Sequence, residues 1–159
     1  MKSILLLAVL LPLAARADEL RPPRDAPPAF QAECASCHIA FPPQLLAAND
    51  WRRVMRALEK HYGDNASLDD RTRQTLEDFY VRNAGKAAKA GVDRTNEAEL
   101  PRITRTPWFV REHREVRQTD WRHVKVKTPA NCVACHTRAA EGSYREREIV
   151  MPDGRRWED

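Results

Sequence analysis

The sequence predicts a mostly α-helical protein with little or no sheet, and three observations carry that prediction. Runs of β-branched residues are few. No Asn-Gly or Asp-Gly hairpin turn separates alternating apolar segments. Several Ser, Thr, Asp or Asn residues stand where they can cap helix-periodic stretches.

In chain order, Met1-Lys2-Ser3 precedes an apolar run from Ile4 to Ala15, and Ala15-Arg16-Ala17 follows as a small-residue cleavage pattern. Residues 1–17 therefore read as a secretory signal peptide. The run is well short of the ~20 apolar residues of a membrane span, and no later segment is apolar enough to form one after cleavage. The remaining 142 residues, 18–159, suit one compact domain or two very small lobes. They hold 25 Lys or Arg against 23 Asp or Glu, but residues 101–139 hold nine against three. That stretch lacks the unbroken basic block of a nucleic-acid arm, and export argues against such a partner.

Residues 18–30, with four prolines, read as an extended leader. A first lobe, 31–85, opens with Cys34-Ala-Ser-Cys37-His38, and the same motif returns as Cys132-Val-Ala-Cys135-His136, so no cysteine is left over. C-x-x-C-H is the attachment sequence of c-type haem. On a helix, residues three and four apart share a face, so two sulfurs reach the vinyl groups of one porphyrin while the adjacent imidazole reaches its iron. An exported chain also permits disulfides, and the spacing permits a thioredoxin-like site. Neither needs a histidine after the second cysteine, and two such histidines arise by chance only about once in a thousand. A zinc ribbon places its cysteine pairs ~15–20 residues apart, against 94 here. Two covalent haem c groups are the expectation, with His38 and His136 each filling one axial position. Their macrocycles supply buried surface that the sparse aromatic residues cannot, so the chain without haem is expected to stay largely unfolded.

Whether the opposite face of each iron is filled decides between electron transfer and small-molecule chemistry. His61, His113, His123, Met55 and Met151 are the available side chains. Trp51, Val54, Met55, Leu58, His61 and Tyr62 recur at helical spacing, which predicts a helix capped by Asn49 or Asp50 and ended by Gly63, with His61 facing the core. Met55 reads better as a core filler. A third helix, capped at Ser67 and ended by Asn83 and Gly85, contributes Leu76, Phe79 and Tyr80 to the same core.

Residues 86–100 are polar, lack aromatics and read as a linker or a frayed helix. The second lobe, 101–142, begins a helix at Thr106-Pro107 that puts Phe109 and His113 on one face. His123 follows a cap at Thr119 or Asp120, lies among basic residues and reads as a surface histidine. Thr128-Pro129 starts the helix expected to carry Cys132 to His136. A C-terminal tail, 143–159, ends in the turn Met151-Pro-Asp-Gly. Neither half is long enough to envelop a haem alone, so the two are expected to pack together.

The strings "ECASCHIAFPPQLL", "HYGDNASLD", "NAG", "RITRTPWFVREHREV" and "PANCVACH" span most of residues 33–136. On them the chain resembles a family of small, exported bacterial dihaem cytochromes c. The resemblance implies two small cytochrome c-like haem lobes packed together. It also implies a monomeric periplasmic electron carrier with two low-potential, low-spin haems, working beside a b-type membrane cytochrome and reducing a soluble haem protein that binds oxygen. It places bis-histidine ligation on His38 with His61 and on His136 with His113, and leaves His123 without a role. Two other classes stand beside it: a dihaem electron-transfer subunit of a larger periplasmic reductase, and a haem protein with one open site for a small molecule. The basic stretch either neutralises haem propionates or docks an acidic partner.

Overall fold

The computed structural model describes residues 20–86 and 99–158. The predicted signal peptide and residues 87–98 of the predicted linker lie outside them. Helices are the regular structure of the described residues, with isolated bridges in place of a sheet, and none of these helices is long and apolar enough to cross a membrane.

Helix α1, Pro28–Cys34, has proline in its first turn, where a missing N–H costs nothing. The last three residues of the predicted leader are thus helical. α1 ends at Cys34, and the Ser36 hydroxyl donates to the Glu33 carbonyl at 2.9 Å. The first motif is therefore entered by a helix but not carried on one, contrary to expectation: Cys37 and His38 sit in the bends that follow.

The predicted helix through His61 is broken. α2 is Ala48–Met55, and its N-cap is Ala47 without a side-chain bond rather than Asn49 or Asp50. Beyond Met55 the backbone tightens, with the Ala57 N–H on the Val54 carbonyl at 3.1 Å and a 3-10 turn over Leu58–Lys60. Tyr62 (φ 53°) and Gly63 (φ 113°) then reverse the chain, and the Asp64 N–H donates to the His61 carbonyl at 3.0 Å. Positive φ at two successive residues cannot continue a right-handed helix. The break leaves Tyr62 exposed instead of in the core.

Helix α3, Asp70–Arg82, is capped by Asp69, which accepts from the Thr72 N–H at 3.0 Å, and not by Ser67; Asn83 ends it as predicted. Leu76, Phe79 and Tyr80 are buried with Phe30 of α1 and Trp51, Val54 and Met55 of α2. The Phe30 and Phe79 rings meet edge-on at 5.1 Å, and Trp51 lies 4.1 Å from Tyr80.

In the second half, α4 is Pro107–Glu112, with the Thr106 hydroxyl accepting from the Phe109 N–H at 3.2 Å, as the Thr-Pro pair predicts. α5, Gln118–Trp121, follows Arg117 without a side-chain cap, so Thr119 and Asp120 lie inside the helix. No α-helix carries the second motif, where only a 3-10 turn forms over Cys132–Ala134. Side chains take the backbone partners a helix would need. Asn131 donates to the carbonyls of Lys125 and Val126 at 3.1 and 3.2 Å, and the Thr128 hydroxyl accepts from the Ala130 N–H at 3.4 Å.

The tail folds back on this motif. The Val150 N–H donates to the Cys135 carbonyl at 3.1 Å, and Ile149 bridges to His136. The predicted turn is present, with the Gly154 N–H on the Met151 carbonyl at 2.8 Å. Leu20 and Gly142 join the two halves through a 2.9 Å backbone bond. At Gly142 a Cβ would stand 2.6 Å from Arg21 Cα, so only glycine fits. The Tyr62 hydroxyl donates to the Pro101 carbonyl, Arg102 lies over the Tyr62 ring, and Ile103 packs on the first core.

Candidate haem centres

The fold brings the four predicted histidines together as two pairs. The reversal after the α2 break turns His61 toward His38, with ring centroids 6.2 Å apart and planes 18° from parallel. At the C-terminal end of α4, His113 faces His136 at 6.1 Å with planes 77° apart. Two imidazoles bonded on opposite sides of one metal ion, at about 2 Å each, bring their centroids to roughly 6 Å. Both spacings suit axial ligand pairs, and each pair stays within its own half of the chain.

The ring nitrogens fit the same role. His38 Nδ1 lies 2.7 Å from the Ile39 carbonyl and His113 Nδ1 lies 2.9 Å from the Phe109 carbonyl. A carbonyl only accepts, so Nδ1 carries the proton in both rings and Nε2 keeps the lone pair a metal needs. His61 Nδ1 and His136 Nδ1 are buried without a hydrogen-bond partner, so no hydrogen bond of Nδ1 fixes these two rings as it does those of His38 and His113. Burial also lowers the pKa of His61, with the nearby charge of His38 adding to it, and burial lowers that of His113. His136 is pushed down to about 4, by burial first and by His113 second. Neutral imidazoles are the ligating form.

No disulfide joins the four cysteines. Burial raises the Cys34 pKa, although the Tyr80 hydroxyl donates to its sulfur and acts the other way. Burial raises Cys132 to about 11 and also raises Cys135, where the Asp120 carboxylate adds to the effect. A nucleophilic C-x-x-C site needs a lowered pKa, and Cys34, Cys132 and Cys135 are all shifted the other way. No set of three or more His, Cys, Asp or Glu side chains gathers as a metal site among the described residues, which removes the shared zinc site. An iron already held by four porphyrin nitrogens needs only the two ligands each pair offers.

The second pair opens on a cavity of 320 Å³ whose walls include Trp121, Cys132, Cys135, Tyr144, Met151 and Trp157. Its mostly apolar lining suits a macrocycle. Met151 is a wall residue here, and Met55 is buried in the first core, as expected of a filler. His123 is half-buried and joins neither pair; its Nδ1 accepts from the Lys125 N–H at 3.2 Å.

Comparison with known proteins follows the same residues. The dihaem cytochrome c family matches residues 30–144. This chain belongs to the dihaem cytochrome c family. The X-ray structure of a dihaem cytochrome c from Shewanella baltica OS155 is 32% identical, with a TM-score of 0.71 over 82% of this chain and 97% of that one. One from Rhodobacter sphaeroides is 36% identical, with a TM-score of 0.63 over 75% of this chain and 97% of that one. No curated protein matches the chain. The cytochrome is accordingly an electron-transfer haem protein that carries two haem c groups, and its mostly helical fold without a sheet is that of the family.

Several residues around the centres went unnoticed in the sequence. Phe41 stacks on His38 at 4.8 Å, and Trp121 lies 5.8 Å from His113. Tyr144 lies 5.2 Å from His136 with its hydroxyl buried and without a partner. Asp120 is buried and accepts from Arg117 at 3.0 Å and from Arg155 at 2.6 Å, which fastens the tail over the second centre. An aromatic three residues after His38 was a visible signal; the tail's return had none.

Proposed function

We propose that this cytochrome is an exported, low-potential electron carrier whose two irons are each held between two histidines. His38 and His61 ligate the first, His136 and His113 the second, and Cys34, Cys37, Cys132 and Cys135 form the thioethers. The pair of ring spacings near 6 Å carries this reading. Two imidazoles favour ferric iron more than a His/Met pair does, which lowers both potentials. His61 and His113, held opposite His38 and His136, would fill the face of each iron that a substrate would need, and the bound haems would supply outer-sphere electron transfer to a docked partner.

The periplasm is the compartment that the signal-peptide pattern of residues 1–17 supports. A b-type membrane cytochrome as donor and a soluble haem protein as acceptor are the partners carried over from the family resemblance. Close in sequence to the second motif, exposed Arg122, Lys125 and Lys127 flank Val124, which is 80% exposed, and Asn131, the residue before Cys132, donates to the Lys125 carbonyl of this loop. An exposed apolar residue flanked in sequence by exposed cations, near a haem attachment motif, supports docking of an acidic partner over neutralisation of propionates.

Optical potentiometric titration tests the carrier reading. Two low-spin steps, both well below that of a His/Met cytochrome measured alongside, are expected; a step at the His/Met level would contradict it. The rate of partner reduction should also fall as ionic strength rises, and a rate indifferent to salt would remove the acidic docking partner.

A further inference from the structure

The two histidine pairs differ in one respect that their equal spacing conceals. The His38 and His61 planes are 18° apart, whereas the His113 and His136 planes are 77° apart. We infer that the two ferric haems are electronically unlike for this reason, and that Phe41 and Phe109 are the positioning residues that set the difference. The inference rests on the proposed ligand pairs.

An imidazole donates π density to the iron d orbital perpendicular to its ring plane. Two parallel rings act on the same orbital and separate it in energy from its partner. Two crossed rings act on one orbital each and leave the pair nearly degenerate. The first arrangement gives a rhombic low-spin ferric iron, and the second gives one with very large magnetic anisotropy. Rotation about an iron–nitrogen bond meets little intrinsic resistance, so the surrounding packing decides the angle.

That packing differs at the two centres. Phe41 lies on His38 at 4.8 Å and 28°, with His38 Nδ1 held by the Ile39 carbonyl. Phe109 lies on His113 at 3.9 Å and 19°, and its own carbonyl accepts a hydrogen bond from His113 Nδ1–H, so one residue fixes the ring from its face and its edge. Across the iron position, His136 lies beside Tyr144 at 54°. The ring orientation is thus set by side chains within four residues of one histidine in each pair. It also labels each iron, so that the two redox steps can be followed separately.

Low-temperature electron paramagnetic resonance of the oxidised, full-length holoprotein tests this. The expected spectrum is the sum of one rhombic low-spin signal and one low-spin signal with a single feature at much lower field. His113→Met should abolish the low-field feature and spare the rhombic signal, and His61→Met should do the reverse. Phe109→Leu should shift only the low-field feature, with the visible spectrum remaining low-spin. Two rhombic signals in the unmodified protein, or a low-field feature that survives His113→Met and is lost in His61→Met, would overturn the inference while leaving the ligand pairs intact. A high-spin signal in the unmodified protein would overturn the pairs themselves.

Discussion

His113 and His136 are 23 residues apart in sequence, as are His38 and His61, and in both pairs the imidazole centroids stand about 6 Å apart, at 6.1 and 6.2 Å. The spacing suits two rings sharing one iron, and it arises from different local structures: a helix C-terminus at His113 and a chain reversal after His61. Convergence of unlike backbones on one distance supports a shared ligand role over coincidental core packing.

Replacing one distal ligand should therefore change one haem at a time. His61→Met and His113→Met should each raise a single potential by roughly 0.1–0.2 V, a part of the ~0.8 V that axial ligands command. His123→Ala, whose ring only caps a local turn, should leave the visible spectrum unchanged. Spectropotentiometry of the three variants checks this, and a spectral change in His123→Ala would show that the pairing is wrong.

Much of this arrangement was legible in the sequence. The two motifs, the Thr106-Pro107 helix start, the shared face of Phe109 and His113, and the core positions Leu76, Phe79 and Tyr80 all follow from spacing and capping chemistry. The break after Met55 was not legible, because the apolar period continues through Leu58 to His61 while the backbone change depends on positive φ at Tyr62 and Gly63. A period shared by a helix and by a helix followed by a 3-10 turn cannot separate the two. The motif helices were over-predicted because the bonds of Ser36, Thr128 and Asn131 compete with the helical ladder. The buried Asp120 escaped notice because its partner Arg155 lies 35 residues away.

Truncating the first core should be costly without touching the second centre. Leu76 has no exposure and packs among Phe30, Trp51 and Phe79, so Leu76→Ala should lower stability by about 2–5 kcal/mol. Guanidinium unfolding followed at both haem bands measures it; an unchanged midpoint would mean that the first core does not limit stability.

The second half should depend on its cofactor more than the first. Its α-helices, Pro107–Glu112 and Gln118–Trp121, have six and four residues, whereas isolated helices shorter than ~12–15 residues are marginal in water. Replacing all four cysteines by alanine should remove most of the far-UV circular dichroism, with residues 101–158 losing amide protection first. A native-like spectrum would contradict the role of haem in the fold.

The Asp120 clasp predicts an acid-sensitive tail. Hydrogen bonds from Arg117, and then Arg155, hold the Asp120 carboxyl below the usual carboxylate range. A depressed folded pKa gives stability that is complete above the unfolded value, near ~3.9, and is lost as pH falls through the folded one. Asp120→Asn should cost about 1 kcal/mol at neutral pH, because both arginines remain substantially exposed. Thermal melts at pH 7 and pH 3 should show that difference shrinking in acid; an equal difference at both would remove the ionic contribution.

Carbon monoxide tests the central claim most directly, because it binds ferrous haem only where an axial position is open or readily vacated. Added to the dithionite-reduced cytochrome, it should leave both haem spectra unchanged, and the oxidised protein should show no high-spin band. Stoichiometric binding of one carbon monoxide per chain, or a high-spin band in the oxidised spectrum, would contradict bis-histidine ligation at that haem and with it the reading of the protein as a pure electron carrier.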